Sequence, residues 1–137
     1  MGGHSDAIDM AIKLYQQVYN ADIQIHMADS DAVELAKYME NAFLATKVTF
    51  CNEMYDLAGK LGINYNVVRE IWTADPRIGK SHTFVYADNR GYGGSCLPKD
   101  VNALISIGEG INADMSLMKS ISKRNDKIRN KGNGHDE

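Results

Sequence analysis

The segment Gly91-Tyr92-Gly93-Gly94-Ser95-Cys96-Leu97-Pro98-Lys99-Asp100 concentrates most of the chemistry this sequence offers. Cys96 sits directly ahead of an expected helix, where unpaired amide hydrogens and the positive end of the helix dipole favour a thiolate. Lys99 adds positive charge nearby, and the glycines at 91, 93 and 94 let a ligand approach the backbone closely. Together they describe an accessible, activated nucleophile. Lys37 and Asn41 are four residues apart, so on a helix they share a face and can converge on a carbonyl oxygen or an oxyanion. A lysine and an asparagine at that spacing are also common on solvated helix faces, and Glu34 with Lys37 forms an equally ordinary pair. Arg77, after Pro76, offers a guanidinium suited to clamping a carboxylate or phosphate. Cys51 lies mid-helix among apolar residues and reads as core. The four histidines, His4, His26, His82 and His135, have no metal-ligand spacing.

Helices must position these groups. Ile8, Ala11, Ile12, Leu14, Tyr15, Val18 and Tyr19 recur at three- and four-residue intervals and predict a short amphipathic helix. Ile23 to Met27 alternates, but an isolated strand would have no sheet to join, so a connector is expected. The strongest element runs from Asp31 to Leu61, with a capping-box-like Asp31-x-x-Glu34 start and a Lys60, Gly62 stop. Such a helix is roughly 45 Å long, more than a small domain needs to cover its own core. Large apolar residues from Leu35 through Met39, Phe43 and Phe50 to Leu61 mark one stripe. Ala42, Leu44, Ala45, Val48 and Cys51 lie off it, so beside the stripe that covers the core a second buried face is expected, suited to a partner chain.

Asn66 is expected to cap a helix ending at Asp75-Pro76. An irregular loop from Arg77 to Gly94 follows, and loops of that length in compact domains are usually functional. Pro98 suits the first turn of a helix closed by Gly108 and Gly110, and Asp114 caps a last helix through Ile128. The fold class is therefore all-α, a helical bundle with one long central helix. Residues 1–5 read as a scar or disordered end, 6–131 as the folded unit and 132–137 as a frayed tail.

The 137 residues, 44% hydrophobic and 24% charged, suit one globular domain. A net charge of -3 without charge runs disfavours nucleic-acid and polybasic membrane roles. Two cysteines are too few for a disulfide scaffold. No apolar run of bilayer length and no signal-peptide pattern occur, which makes the cytoplasm the expected compartment. A strand-Gly-x-Gly-x-x-Gly-helix unit is absent from the sequence, so the chain alone is expected not to bind NAD in that way.

Four ordered motifs, Glu34 to Ala45, Asn52-Glu53, Asp75 to Gly79 and Gly91 to Asp100, resemble the UDP-glucose/GDP-mannose 6-dehydrogenase family over roughly residues 30–107. The resemblance is to the family's central domain, which lies between an NAD-binding Rossmann domain and a C-terminal nucleotide-sugar domain; neither is expected within these residues. It implies a fold similar to the helical C-terminal domain of 6-phosphogluconate dehydrogenase and a homodimer built on the long helix. It also implies an NAD-dependent, two-step oxidation of a nucleotide sugar's C6 alcohol to the carboxylate. In that scheme Cys96 attacks the aldehyde, Lys37 and Asn41 hold the C6 oxygen, and Asp100 orients or deprotonates water and biases Lys37. Arg77 reaches the partner subunit's sugar, and Gly91, Gly93 and Gly94 line the sugar pocket. The stretch between Arg77 and Gly91 is longer than in the commonest members. Alone, the chain is expected to be inactive; the competing reading is a free-standing homodimerising module without catalysis.

Overall fold

The computed structural model describes residues 5–19 and 25–132. Its elements are five helices: α1 (Ser5–Val18), α2 (Ser30–Lys60), α3 (Tyr65–Trp72), α4 (Cys96–Gly110) and α5 (Ser116–Gly132). No strand occurs among the described residues; an isolated bridge pairs Tyr86 with Asn89. The all-α expectation is met. Helix α1 includes Ser5 and α5 includes Gly132, each one residue beyond the expected folded unit. The rest of the expected end segments, His4 and His135, and the first half of the 23–27 connector lie outside the described residues.

Two compact units divide the chain, Met1–Glu40 and Asn41–Glu137. In the first, α1 buries Ile8 and stacks Tyr15 on Tyr19, one turn apart. The first third of α2 also belongs to it.

The second unit holds the remaining helices around two small clusters. One joins Ala42 and Ala45 of α2 to Tyr92 and Val101, with Leu97, Leu104, Met118 and Ile121 packed on it. The other centres on Cys51, Ala58 and Tyr65, with Trp72 and Val85. Alanines on α2 let neighbouring backbones come close, which explains why the small off-stripe residues are the buried ones. The large stripe is exposed instead: Phe43 is 66% and Leu61 63% accessible.

Termination follows backbone chemistry. Gly62 is left-handed (φ 68°), Ile63 N–H donates to Ala58 O at 2.9 Å and Gly62 N–H to Gly59 O at 3.1 Å. These are the paired bonds of a Schellman stop, as expected from Gly62. The same arrangement ends α4, but with Asn112 (φ 59°) in the left-handed place and Ala113 N–H donating to Gly108 O. The stop expected at Gly108 and Gly110 therefore moves to Asn112. Gly108 is buried because Met115 covers it; a Cβ there would lie 2.5 Å from Met115 Cγ. The N-cap of α3 is Asn64 and not Asn66: Asn66 N–H donates to Asn64 Oδ1 at 2.9 Å.

Asp114 covers the start of α5 from one residue further out than a cap directly before Ser116 would stand, its Oδ1 accepting from Ser116 N–H at 2.9 Å. That backbone bond, with the Ser116 side chain, holds the carboxyl below its ordinary value of 3.8. A lowered folded value means the cap stabilises fully above the unfolded value and weakens as pH falls through the folded one. An Asp114→Asn variant keeps an acceptor but loses the titration. Denaturation followed from pH 5 to pH 2 should accordingly show a shallower acid limb in the variant; identical limbs would remove Asp114 from the acid response.

Candidate functional site

The irregular segment between α3 and α4 has few backbone partners of its own, and buried backbone groups must find partners somewhere. Helix side chains supply them. Lys47 Nζ donates to the carbonyls of Ile78 and Gly79, both at 2.8 Å. Tyr65 Oη donates to Thr83 O at 2.9 Å, and buried Arg69 donates through Nε to Thr83 Oγ1 at 2.8 Å while its guanidinium lies on the Phe84 ring. Asn52 Oδ1 accepts from Arg90 Nε at 2.7 Å and from Gly91 N–H at 3.2 Å. Asn125, on α5, accepts Tyr92 N–H at 2.7 Å and donates to Tyr92 O at 3.0 Å. A segment without secondary structure is thus fixed from α2, α3 and α5.

This anchoring delivers Cys96 as the first residue of α4, one position further into the helix than expected. Its thiol is exposed, with Ser95 Oγ 3.8 Å away. Asp100 follows one turn later, so the two share a face of α4. Asp100 is buried, accepts from Asn41 Nδ2 at 2.5 Å and pairs with Lys99 Nζ at 3.2 Å. Asn41 is itself buried, on α2. Structure thereby joins Asn41 and Asp100, 59 residues apart in sequence, next to the helix turn that carries the thiol. Cys51 is the contrasting thiol: fully buried, beside Tyr65, with burial pushing both groups up from their ordinary values.

The other expected site residues are placed less simply. Lys37 is exposed on α2, in the first unit. Arg77 is 86% exposed and forms an ion pair with Asp75, whose Oδ1 also accepts Arg77 N–H at 3.0 Å. The three glycines differ from one another. A Cβ on Gly91 would lie 2.6 Å from Asn125 Oδ1 and 3.3 Å from Ile128 Cγ2, so that position is kept small by α5, whereas one on Gly93 would meet only the movable guanidinium end of Arg129 at 2.8 Å. Gly94 (φ 76°) faces open space. Sequence reasoning quoted Asn52 only as part of a motif and missed Asn125, Arg69 and Lys47 altogether. Their importance is tertiary, and no local pattern around them announces it.

Among the described residues no group of three or more His, Cys, Asp or Glu could hold a metal ion. No helix there is long and apolar enough to cross a membrane.

A sequence model of the UDP-glucose/GDP-mannose dehydrogenase family, central domain, matches residues 31–127. The chain belongs to this family. Similar curated proteins include the UDP-glucose 6-dehydrogenase YwqF of Bacillus subtilis, 43% identical over 75% of this chain and 23% of that protein. The UDP-glucose 6-dehydrogenase of Pseudomonas aeruginosa is 47% identical over 67% of this chain and 20% of its own length. A solved UDP-glucose dehydrogenase from Pyrobaculum islandicum superposes with a TM-score of 0.80 at 33% identity, covering 91% of this chain and 28% of that one. These relatives are far longer, and the chain spans about a quarter of their length or less. Within the dehydrogenase family, the Asn41–Asp100 pair and Cys96 fall inside the matched central domain.

Proposed function

We propose that this chain supplies the thiol, the oxyanion-holding amide and the dimer interface for oxidation of a nucleotide sugar's C6 alcohol to a carboxylate, UDP-glucose being the first substrate to test. The observation that carries the reading is the Asn41–Asp100 hydrogen bond at 2.5 Å, one α4 turn from the exposed Cys96 thiol. The names of the curated relatives support the substrate class.

NAD, the oxidant of the family resemblance, would accept one hydride from C6 in each of the two oxidations. The residues here do not fit a dinucleotide site: no strand occurs among those described, and the sequence has no Gly-x-Gly-x-x-Gly turn. The hydride steps are therefore assigned to parts of the enzyme outside these residues.

Two steps belong to this chain. In the first, Cys96 Sγ bonds to C6 of the aldehyde, the carbonyl π electrons move to oxygen, and the resulting hemithioacetal oxygen takes up a proton. An amide NH2 carries two donors, so Asn41 can direct one N–H to Asp100 and offer the other to that oxygen. Lys37, from the family resemblance, is the cationic partner proposed for that oxygen. After the second oxidation, water adds to the thioester carbon and the C6–S bond breaks, releasing carboxylate and the Cys96 thiol. Asp100 is the residue proposed to orient that water and take its proton. The glycine segment 91–94 and Arg77 are proposed to contact the sugar, Arg77 from the partner subunit.

Activity is tested in a chimera carrying these residues in place of the matching segment of the Pseudomonas aeruginosa enzyme. UDP-glucose-dependent NADH formation is expected; a folded, correctly assembled chimera without it would sink the reading.

Dimerisation rests on the exposed stripe of α2 and on an apolar pocket of about 320 Å³ lined by Phe50, Leu57, Leu61, Val68 and Trp72. Large contiguous apolar surface of this kind marks an interface. Sedimentation of the chain should give a dimer, and Phe50→Asp should shift it to monomer. A wild-type monomer at high micromolar concentration would remove the interface.

A further inference from the structure

Neither the family resemblance nor the site residues above give a role to Asn125. It is 3% exposed, and both ends of its side-chain amide are spent on one residue: Oδ1 accepts Tyr92 N–H and Nδ2 donates to Tyr92 O. The amide acts as a neighbouring strand would, fixing the backbone of a residue that has no strand beside it. Tyr92 is a sensitive place for such a grip. Its ring lies in the cluster with Ala42 and Val101, the residues that directly follow Asn41 and Asp100. Its backbone leads within four residues to Cys96 at the start of α4. Gly91 belongs to the same device, since any side chain there would strike Asn125 Oδ1.

We infer that Asn125 is a positioning residue for Cys96: it holds Tyr92, and through it the turn that sets the first residues of α4 beside the Asn41–Asp100 pair. This rests on the reading of Cys96 as the reactive thiol. Without the grip, the first turn of α4 frays and the thiol leaves the cluster of unpaired amides at the helix start. Purely structural support from Asn125 would act differently, since it would raise global opening and expose Cys51 as well.

The test compares iodoacetamide alkylation of Cys96 and Cys51 in the folded wild-type chain, in Asn125→Ala and in Ser122→Ala. Ser122 is on the same helix and neighbours the Tyr92 phenol, whereas the Tyr92 backbone bonds go to Asn125. Expected is a drop of about three-fold in the Cys96 rate for Asn125→Ala, the size of a helix-terminus effect on an anion, with Cys51 still protected. Ser122→Ala should leave the Cys96 rate unchanged. Wild-type Cys96 reacting no faster than Cys51 would overturn the reactive-thiol reading itself. A fast wild-type Cys96 whose rate is the same in Asn125→Ala, or falls equally in Ser122→Ala, would overturn the positioning role alone. Should Asn125→Ala fail to fold, hydrogen exchange on the wild type decides: Tyr92 N–H should be protected like the amide of Leu104 within α4, and exchange as fast as that of Gly94 would refute the grip.

Discussion

In the active chimera, Cys96→Ser should lower formation of the sugar acid by about three orders of magnitude or more, as removal of a covalent nucleophile does. A serine hydroxyl at the start of α4 keeps the size and the polar contact with Ser95 but is a far weaker nucleophile near neutral pH. The reaction should then stall at the aldehyde level, so product analysis distinguishes the loss from simple misfolding. Asp100→Asn should stall it elsewhere. The asparagine carbonyl can still accept from Asn41 Nδ2, so the buried pair survives, but the group proposed to take the proton from water is gone. A covalent acyl adduct on Cys96 should accumulate and be visible as added mass on the peptide that contains it. Sugar acid formed at the wild-type rate by Cys96→Ser would exclude the thioester route. Absence of any adduct in an inactive Asp100→Asn chimera would move Asp100 from hydrolysis to the earlier steps.

The parts of this picture that were legible in the sequence share a physical cause. The C-terminal end of α2 is set by residues within a few positions of it, Gly62 above all, because a left-handed stop is a local backbone requirement; at its start the expected Asp31 cap lies inside the helix, which begins at Ser30 with Val33 N–H donating to Asp29 O. Cys96, Pro98 and Asp100 could be assigned to one helix start for the same reason. Reading failed where a residue's purpose lies across the fold. Gly108 looked like a helix stop and is instead the space Met115 occupies, while Asn112 does the stopping. The long apolar stripe of α2 looked like the inner face, yet Ala42, Ala45 and Cys51 are inside and Phe43 and Leu61 are outside. Size explains the reversal: alanines admit a neighbouring backbone, and the larger side chains are left outward. Asn41 and Asp100 could each be chosen as site residues, but only the fold shows the bond between them.

Gly91 and Gly94 make the sharpest stability comparison because their backbones match and their surroundings do not. Both are left-handed, at φ 74° and 76°, so alanine at either site carries a strain of about 1–2 kcal/mol. Gly94→Ala meets nothing within 4 Å, and strain should be its whole cost. Gly91→Ala would also place its Cβ 2.6 Å from Asn125 Oδ1, 3.1 Å from Arg129 Cγ and 3.3 Å from Ile128 Cγ2. Asn125 can withdraw only by giving up both bonds to Tyr92, each worth about 1 kcal/mol. The total for Gly91→Ala is then about 3–4 kcal/mol, a fall in Tm of roughly 12 °C for a chain of this size against about 5 °C for Gly94→Ala. Thermal melts followed by helical ellipticity would measure both, and equal shifts would show that α5 does not press on Gly91. The double variant Gly91→Ala with Asn125→Ala separates clash from strain. Removing Asn125 costs its two bonds once and opens the space the new methyl needs, so the pair should be less destabilised than the sum of the single variants by about 1–2 kcal/mol. Strict additivity would mean that Arg129 and Ile128, and not the Asn125 amide, set the limit at Gly91.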